Sequence, residues 1–278
     1  MRVFYSEKTV AISKSYSPSA SKPRFAVQSW LDHHFDIEVI EPVPVSLEQL
    51  CGAHSAKYVN GVLSLREANG FGDRSPSVAE SLRYTSGALL DAARDAISTG
   101  GFSCAPVSGF HHAGYDFGGG FCTFNGLMVT AIDLLHSATV LKVGILDCDQ
   151  HFGNGTEDII ARLDLRDDVI HYTSGQHSLV ASTFLEGLPD LMESLYSDCG
   201  VLLYQAGADA HVDDPLGGWM TTDQLRARDH LVFSTAKKMG LPVCWDLAGG
   251  YQRDASGGIA PVLAIHDNTM IACLAVVA

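Results

Sequence analysis

Short apolar runs alternate along this chain with longer segments in which apolar residues recur every three or four positions. A short apolar run bounded by turn residues is typical of a buried strand, and the longer period is typical of a helix that packs on one side. The predicted strands are 2–5, 37–40, 104–107, 143–146, 169–173, 201–206 and 242–247. The predicted helices are 25–34, 46–50, 54–59, 78–98, 125–136 and 221–239.

Strands that alternate with helices indicate a mostly parallel sheet with helices on both faces. No linker, repeat or low-complexity tract divides the 278 residues. The sequence therefore predicts a single α/β domain over 1–278. In sheets of this kind a ligand binds beyond the carboxyl ends of the strands.

The predicted strand 143–146 leads into three polar residues at every second position: Asp147, Asp149 and His151. In an extended strand these side chains point to one face, whereas on a helix the same spacing would separate them. Two carboxylates and an imidazole that converge before a Gly-x-Gly turn are typical of a metal site. The alternative is a strand end whose aspartates are merely solvated.

Other predicted strands also end in groups that can carry chemistry. Together with the three residues above, these groups are His111, His112, Asp209 and Tyr251. Because the carboxyl ends of parallel strands meet at one edge of a sheet, all of them are expected near one site.

Composition limits the partners and the compartment. The net charge of −14 argues against nucleic acid as a partner and is compatible with a cationic substrate. Seven cysteines without a CxxC pair favour a reducing compartment and give no thiolate zinc site. The N-terminus lacks a signal-peptide core and no apolar stretch is expected to reach membrane-spanning length, so we expect a cytoplasmic protein with no membrane partner.

Five motifs stand in a fixed order along the chain. They are Phe110-His111-His112-Ala113, the turn Gly120-Phe121-Cys122 before Asn125, Asp147-x-Asp149-x-His151 with Gly153-Asn154-Gly155-Thr156, Ala208-Asp209-Ala210-His211 with Asp214-Pro215-Leu216-Gly217, and Gly249-Gly250-Tyr251. In this order they resemble the histone deacetylase superfamily, which includes acetylpolyamine amidohydrolases and bacterial deacetylases. The resemblance covers most of the chain. It implies one catalytic domain of the arginase/deacetylase type that hydrolyses acylated amines with zinc.

The resemblance assigns a metal to one group of residues. Asp149, His151 and Asp209 would bind one Zn²⁺ per chain and leave a position open for water and the substrate carbonyl. Two carboxylates and one imidazole form a harder donor set than thiolates, so Fe²⁺ or Mn²⁺ can replace zinc. The resemblance also implies K⁺ near the next strand end, where Thr173 and Ser174 are the local counterparts.

The resemblance also assigns the catalytic groups. His111 and His112 would transfer protons while metal-activated water attacks, and Tyr251 would stabilise the oxyanion. Asp147 would orient His111, and Asn154 would hold His112. An anionic partner should raise the pKa of His111, whereas the amide partner should leave the pKa of His112 near 6.5.

Gly120 and Phe121 would line the substrate channel by the same resemblance, although Phe121 could instead be a core residue. The substrate would be an acylated amine such as acetyl-lysine, an acetylpolyamine or a small metabolite. His211 is expected to be structural or on the pocket rim. Asp73 is a weaker candidate for a carboxylate on that rim.

Two departures from the family pattern concern the pocket. Phe152 stands where most relatives have a second histidine, and we expect it to face away from the metal. The segment 173–209 is shorter than in relatives, so part of the pocket wall is expected to be missing. Two further hypotheses stay open: a catalytically silent member that binds an acylated ligand or a protein partner, and a binuclear manganese hydrolase.

Overall fold

The computed structural model describes residues 1–177 and 180–277. In this part of the chain seven strands form one sheet. They are β1 (Arg2–Phe4), β2 (Glu38–Ile40), β3 (Phe102–Ser108), β4 (Val143–Asp147), β5 (Val169–Thr173), β6 (Val201–Gln205) and β7 (Val243–Leu247). The α-helices of the described residues are α1 (Lys22–Asp32), α2 (Leu47–Ala53), α3 (Ala56–Leu63), α4 (Pro76–Thr99), α5 (Gly126–His136), α6 (Asn154–Arg162), α7 (Ala181–Tyr196), α8 (Thr222–Met239) and α9 (Ala260–Val277).

The sheet has the order β2-β1-β3-β7-β6-β4-β5, and its neighbouring strands pair in parallel. The predicted parallel α/β fold is confirmed, and each of the seven predicted strands is present. Asp147 pairs with Gln205, and Gln205 pairs with Asp246. This register brings the carboxyl ends of β4, β6 and β7 to the same edge, where the candidate site lies.

Two hydrophobic cores cover the two faces of the sheet. Alternate residues of β6 supply them: Val201 and Leu203 pack into one core, and Leu202 and Tyr204 pack into the other. The first core includes residues of α2 to α6, and the second includes residues of α1 and α7 to α9. Because both faces are covered, the central strands β4, β6 and β7 are buried at every residue rather than at alternate ones.

Three helices were not predicted, each for a physical reason. The helix α6 begins between Gly153 and Gly155, a pattern that usually indicates a turn. The helix α7 contains Gly187 and Pro189, two residues that rarely occur inside a helix. The helix α9 is apolar on all sides and therefore has no amphipathic stripe to recognise.

The expectation that no apolar stretch is long enough for a membrane span was wrong. The helix α9 has 18 residues and is long and apolar enough to cross a membrane by length and composition. In this fold α9 packs against α1 and α8. Its His266 and Thr269 are buried, and the Thr269 hydroxyl donates to Asp229 of α8 over 2.6 Å.

The long helix α4 holds the segment that precedes α2. Val45 N donates to Arg83 O over 3.0 Å, and Arg83 Nε donates to Val45 O over 2.6 Å. Gly87 lets the two backbones approach, because a Cβ at this position would lie 2.1 Å from Val43 O. A side chain here would push the segment off the helix.

We therefore expect opposite effects from two glycine-to-alanine substitutions. Gly87→Ala should lower the free energy of unfolding by about 1–3 kcal/mol, because the methyl group overlaps the carbonyl of Val43. The matched change is Gly187→Ala in α7, where a Cβ would meet no atom within 4 Å. It should raise the free energy of unfolding by about 0.5–1 kcal/mol through helix propensity. Urea unfolding measures both, and equal shifts of the two variants would contradict the close approach at Gly87.

Candidate metal centre

Three side chains from two strand ends converge on one point. Asp149 and His151 follow β4, Asp209 follows β6, and their candidate ligand atoms all lie within 4.8 Å of one another. His151 Nδ1 lies 3.0 Å from both Asp149 Oδ1 and Asp209 Oδ2. Within residues 1–177 and 180–277, these residues form the single group of three or more His, Cys, Asp or Glu side chains that lie close enough together to hold a metal ion. A second metal cluster is therefore not found in these ranges.

The reason given for this convergence was wrong, although the residues are brought together. The strand β4 ends at Asp147, so strand alternation does not reach Asp149 and His151. Instead, hydrogen bonds fold the segment inward: Asp149 N donates to Asp147 Oδ1 over 3.1 Å, and His151 N donates to Asp149 Oδ1 over 2.8 Å. Gln150 N donates to Asp209 Oδ1 over 3.1 Å and ties the two strand ends together.

The electrostatics of the three residues favour a bound cation. Burial and the neighbouring Asp149 raise the pKa of Asp209 to about 7. Burial also acts to raise the pKa of Asp149, but His111 and His151 outweigh it and bring that pKa to about 2. Hydrogen bonds with both carboxylates raise the pKa of His151 to about 10. Two buried carboxylates and one imidazole facing one point are donors that fit Zn²⁺, Fe²⁺ or Mn²⁺.

The three side chains differ in exposure. The His151 side chain is 34% exposed, whereas the side chains of Asp149 and Asp209 are 4% and 0% exposed. The imidazole therefore contacts solvent while the two carboxylates are shielded from it.

His111 is held between the metal centre and Asp147. Its Nδ1 lies 2.7 Å from Asp147 Oδ2, and its Nε2 lies 3.6 Å from Asp149 Oδ1. Gln205 Nε2 donates to Asp147 Oδ1 over 2.7 Å and fixes that carboxylate. Burial acts to lower the pKa of His111, but Asp147 and Asp149 outweigh it and raise that pKa to about 9.

His171 of β5 was not predicted as part of this region. Its side chain is buried, its Nδ1 lies 2.8 Å from Glu157 Oε1, and its Nε2 lies 3.9 Å from Asp147 Oδ2. Burial acts to lower the pKa of His171, but the two carboxylates outweigh it and raise that pKa. The sequence did offer a signal for this residue. His171 lies in the predicted strand 169–173, two residues before Thr173, and so on the same face as that residue.

His112 contacts Asn154 and lies beside His111, with the two rings tilted by 54°. Its Nδ1 lies 2.6 Å from Asn154 Oδ1, and the two imidazole centroids are 4.1 Å apart. Burial and the charge of His111 lower the pKa of His112, so the expected value near 6.5 was wrong. Gly120, which has a φ of +52°, lies against the ring, and a Cβ there would come within 2.3 Å of His112 Cδ2.

Tyr251 follows two glycines whose backbone conformation and close contacts exclude larger residues. Gly249 and Gly250 have φ values of +54° and +91°, and a Cβ on Gly249 would lie 2.3 Å from Asp209 Cγ. Tyr251 N donates to Asp214 Oδ2 over 2.8 Å. Burial and the carboxylates of Asp149 and Asp209 raise the pKa of Tyr251, so its hydroxyl stays protonated.

Lys22 supports the same glycine turn and was not among the residues that the sequence singled out. It begins α1 and is fully buried. Its Nζ donates to Leu247 O over 2.7 Å and also to Gly249 O. Burial lowers the pKa of Lys22 to about 8. The ammonium group of Lys22 therefore fixes the backbone segment that precedes Tyr251.

Phe121 forms one wall of the site. Its ring centroid lies 5.5 Å from those of Tyr16 and Tyr251 and 5.9 Å from that of Phe71. A cavity in the fold is lined by Phe121 together with Gly120, His111, Asp149 and Tyr251. Phe121 therefore faces the site rather than the core.

The remaining candidates bond within the protein. Thr173 Oγ1 accepts from Gly153 N over 3.1 Å, and Ser174 Oγ donates to Asp149 O over 2.8 Å. His211 Nε2 lies 2.9 Å from Thr222 Oγ1, as a structural histidine would. Asp73 accepts from Asn69, Lys14 and Ser75 and thus anchors its own loop. Phe152 is 37% exposed.

His54 bonds to the backbone near the histidine pair His111–His112 and was not identified from the sequence. It is buried, its Nδ1 lies 2.8 Å from Gly114 O, and its Nε2 accepts from Asn125 N over 2.9 Å. Asn125 Nδ2 in turn donates to Ala113 O over 3.0 Å. Burial lowers the pKa of His54 to about 4. A proton on Nε2 would in addition remove the acceptor of the Asn125 N–H group.

Comparisons with known proteins agree on one family. The sequence profile of the histone deacetylase domain matches residues 20–184, more than half of the chain. The chain is 25% identical over 259 residues to histone deacetylase 2 of Arabidopsis thaliana, covering 80% of this chain and 65% of that protein. It is 28% identical over 188 residues to acetylpolyamine amidohydrolase 1 of Pseudomonas aeruginosa, covering 55% of this chain and 51% of that protein. The chain thus spans about half to two thirds of the length of these curated relatives.

A solved structure shows the same fold. The crystal structure of acetylpolyamine aminohydrolase from Burkholderia pseudomallei superposes with a TM-score of 0.76 at 18% sequence identity. The superposition covers 99% of each chain. The arrangement of strands and helices is therefore shared over the whole domain.

The buried neutral His54 predicts a pH dependence of stability. Above about pH 6.5 the ring is neutral in both the native and the unfolded state, and it adds no slope. Between pH 6.5 and 4 the unfolded chain takes up a proton that the native state refuses, so stability falls as the pH falls. His54→Gln should lose up to about 1.4 kcal/mol per pH unit of this slope.

Urea unfolding of wild type and variant at several pH values between 4 and 8 measures the difference. His136→Gln, a change at an exposed position, is the matched control and should keep the wild-type profile. Identical profiles for wild type and His54→Gln would show that the pKa of His54 is the same in the native and the unfolded state, which contradicts the prediction.

Proposed function

The chain belongs to the histone deacetylase family, and from this membership we propose that it is a zinc-dependent amidohydrolase that removes an acyl group from an acylated amine. One observation carries the proposal: the Asp149–His151–Asp209 group, whose two carboxylates are buried, lies beside the histidine pair, and Tyr251 and Phe121 line the adjoining cavity. A metal site alone would need neither the histidines nor the tyrosine.

We propose an acetyl-lysine or an acetylpolyamine as the substrate. The relatives that carry the names histone deacetylase and acetylpolyamine amidohydrolase support this class. The net charge of −14 favours approach of a cationic amine. The seven free cysteines agree with the reducing cytoplasm as the place of action.

Asp149, His151 and Asp209 would hold the metal, which when bound polarises the acyl carbonyl and activates water. His112 is suited to accept the proton of that water, because burial and His111 keep its imidazole neutral. Asp147 keeps the neighbouring imidazole of His111 cationic. The resulting hydroxide would add to the acyl carbon. The C–N bond would then break as a proton passes from the histidine pair to the amine nitrogen.

Tyr251 would donate its hydroxyl to the oxyanion that forms on the carbonyl. Its raised pKa keeps the proton on the phenol, as a hydrogen-bond donor requires. The donor sits on a turn fixed by Lys22 and Asp214, so little reorganisation is needed during the reaction. The catalytically silent alternative would need none of these groups.

We expect about one divalent metal per chain in the purified protein. Asp149→Ala and Asp209→Ala should each lose the metal, since each removes one of three side-chain ligands. Asp213→Ala is the matched control, because Asp213 lies four residues beyond Asp209 with its side chain 79% exposed. Elemental analysis measures the content. Unchanged metal in both ligand variants would overturn the assignment of the site.

Removal of the Tyr251 hydroxyl should abolish most turnover and leave the metal in place. Tyr251→Phe should lower kcat by roughly 10²-fold or more, because one oxyanion donor is lost. Tyr16→Phe is the control, since Tyr16 also packs on Phe121 but its side chain is largely exposed. A panel of acetyl-lysine peptides, acetylpolyamines and longer acyl-lysines first identifies the best substrate. Near-normal kcat of Tyr251→Phe on that substrate would remove Tyr251 from the mechanism.

A further inference from the structure

A buried arginine joins the two strand ends that carry the metal-ligand residues. Arg228 lies on α8 and is 1% exposed. Its Nη1 donates to Gly207 O over 2.8 Å and lies 3.3 Å from Cys148 O, to which it also donates. Cys148 precedes Asp149 directly, and Gly207 stands two residues before Asp209. One nitrogen atom thus bonds to both backbone segments.

The two segments touch at the place where the arginine binds them. A Cβ on Gly207 would lie 2.3 Å from Cys148 O and 2.5 Å from Asp149 Cα. The backbones are therefore as close as a glycine allows. Beyond this contact the buried carboxylates of Asp149 and Asp209 face one point, where two like charges repel each other. A fixed donor that pulls both carbonyl groups inward opposes that repulsion.

The guanidinium is itself held in one orientation. Its Nε donates to Asp229 Oδ1 over 2.8 Å, and the hydroxyls of Tyr204 and Thr269 donate to the same carboxylate. Every partner in this network is buried. Replacement of a buried ion pair by apolar residues is often neutral or stabilising, so stability alone does not account for the pair. A rigid donor for two carbonyl groups does.

We propose that Arg228 is a positioning residue that sets the separation of Asp149 and Asp209 and thereby the affinity and geometry of the metal site. The inference rests on the proposed function, because it needs a metal at these two carboxylates. Arg228 acts through the backbone and does not touch the reacting groups. Loss of the bridge should let the strand ends relax apart and weaken metal binding about 10- to 100-fold, the range found for groups that orient metal ligands.

Two variants test this role. Arg228→Lys keeps a positive charge for Asp229 but removes the planar fork that fixes the donor. Arg228→Met combined with Asp229→Asn removes both charges together. The asparagine oxygen can still accept from the Tyr204 hydroxyl, and its NH₂ group can donate to Thr269 Oγ1, whose own hydroxyl can donate to Ile265 O. The double variant avoids a buried unpaired carboxylate and so protects the fold.

The matched control is Tyr196→Phe. The Tyr196 hydroxyl is also buried and donates to Ile145 O over 2.9 Å, but this bond lies inside β4, two residues before its last residue Asp147. The change should lower stability in the same strand and leave the metal site intact. It therefore separates a general loss of stability from a displaced strand end.

The probe is Co²⁺ bound to the metal-free full chain. Chelator competition measures its dissociation constant, the visible absorption spectrum reports ligand geometry, and thermal unfolding without metal reports stability. Both Arg228 variants should raise the dissociation constant about 10- to 100-fold and change the visible bands, while Tyr196→Phe changes only the unfolding temperature. Wild-type affinity and spectrum in either folded Arg228 variant would overturn the positioning role. Failure of the wild-type protein to bind Co²⁺ would overturn the proposed function and this inference with it.

Discussion

The repulsion between carboxylates that share a buried space is the constraint on which the rest of the site depends. Asp147, Asp149 and Asp209 lie at two neighbouring strand ends, almost fully shielded from water. Carboxylates in such a place stay ionised only if cations or hydrogen-bond donors face them. His111, His151, Gln205 and the backbone amides of the segment after β4 provide those partners. Two of these partners, His111 and His151, are also groups that the proposed chemistry uses, so stability and the proposed function share contacts.

Close backbone packing makes this density of polar groups attainable. Gly155 N and Thr156 N donate to His111 O over 2.8 and 3.0 Å, which joins the start of α6 to the histidine pair. A Cβ on Gly155 would lie 2.4 Å from Ala113 C. The glycines of the motifs therefore act as contact points between loops, and their side-chain-free backbones let the polar groups converge.

The sequence predicted the sheet and the principal site residues better than it predicted their supports. Apolar runs located the strands, and parallel strands must end at one edge, so His111, Asp149 and Tyr251 could be placed together. Lys22, His54 and Arg228 could not be identified in this way, because their partners are mostly backbone carbonyl and amide groups distant in the chain. The helix α9 was missed because a helix buried on all sides shows no periodic pattern.

The strand order also governs when the site can form during folding. The strand β7 lies between β3 and β6, and it comes last of the strands in the described chain. One half of the sheet, β1 to β3, leads into the histidine pair, and the other half, β4 to β6, leads into the Asp149, His151 and Asp209 group. The two halves pair with each other in the sheet only through β7, a contact of long sequence separation that is slow to form. In a chain made from its N-terminus, the sheet that carries both groups therefore closes only after its last strand has been synthesised.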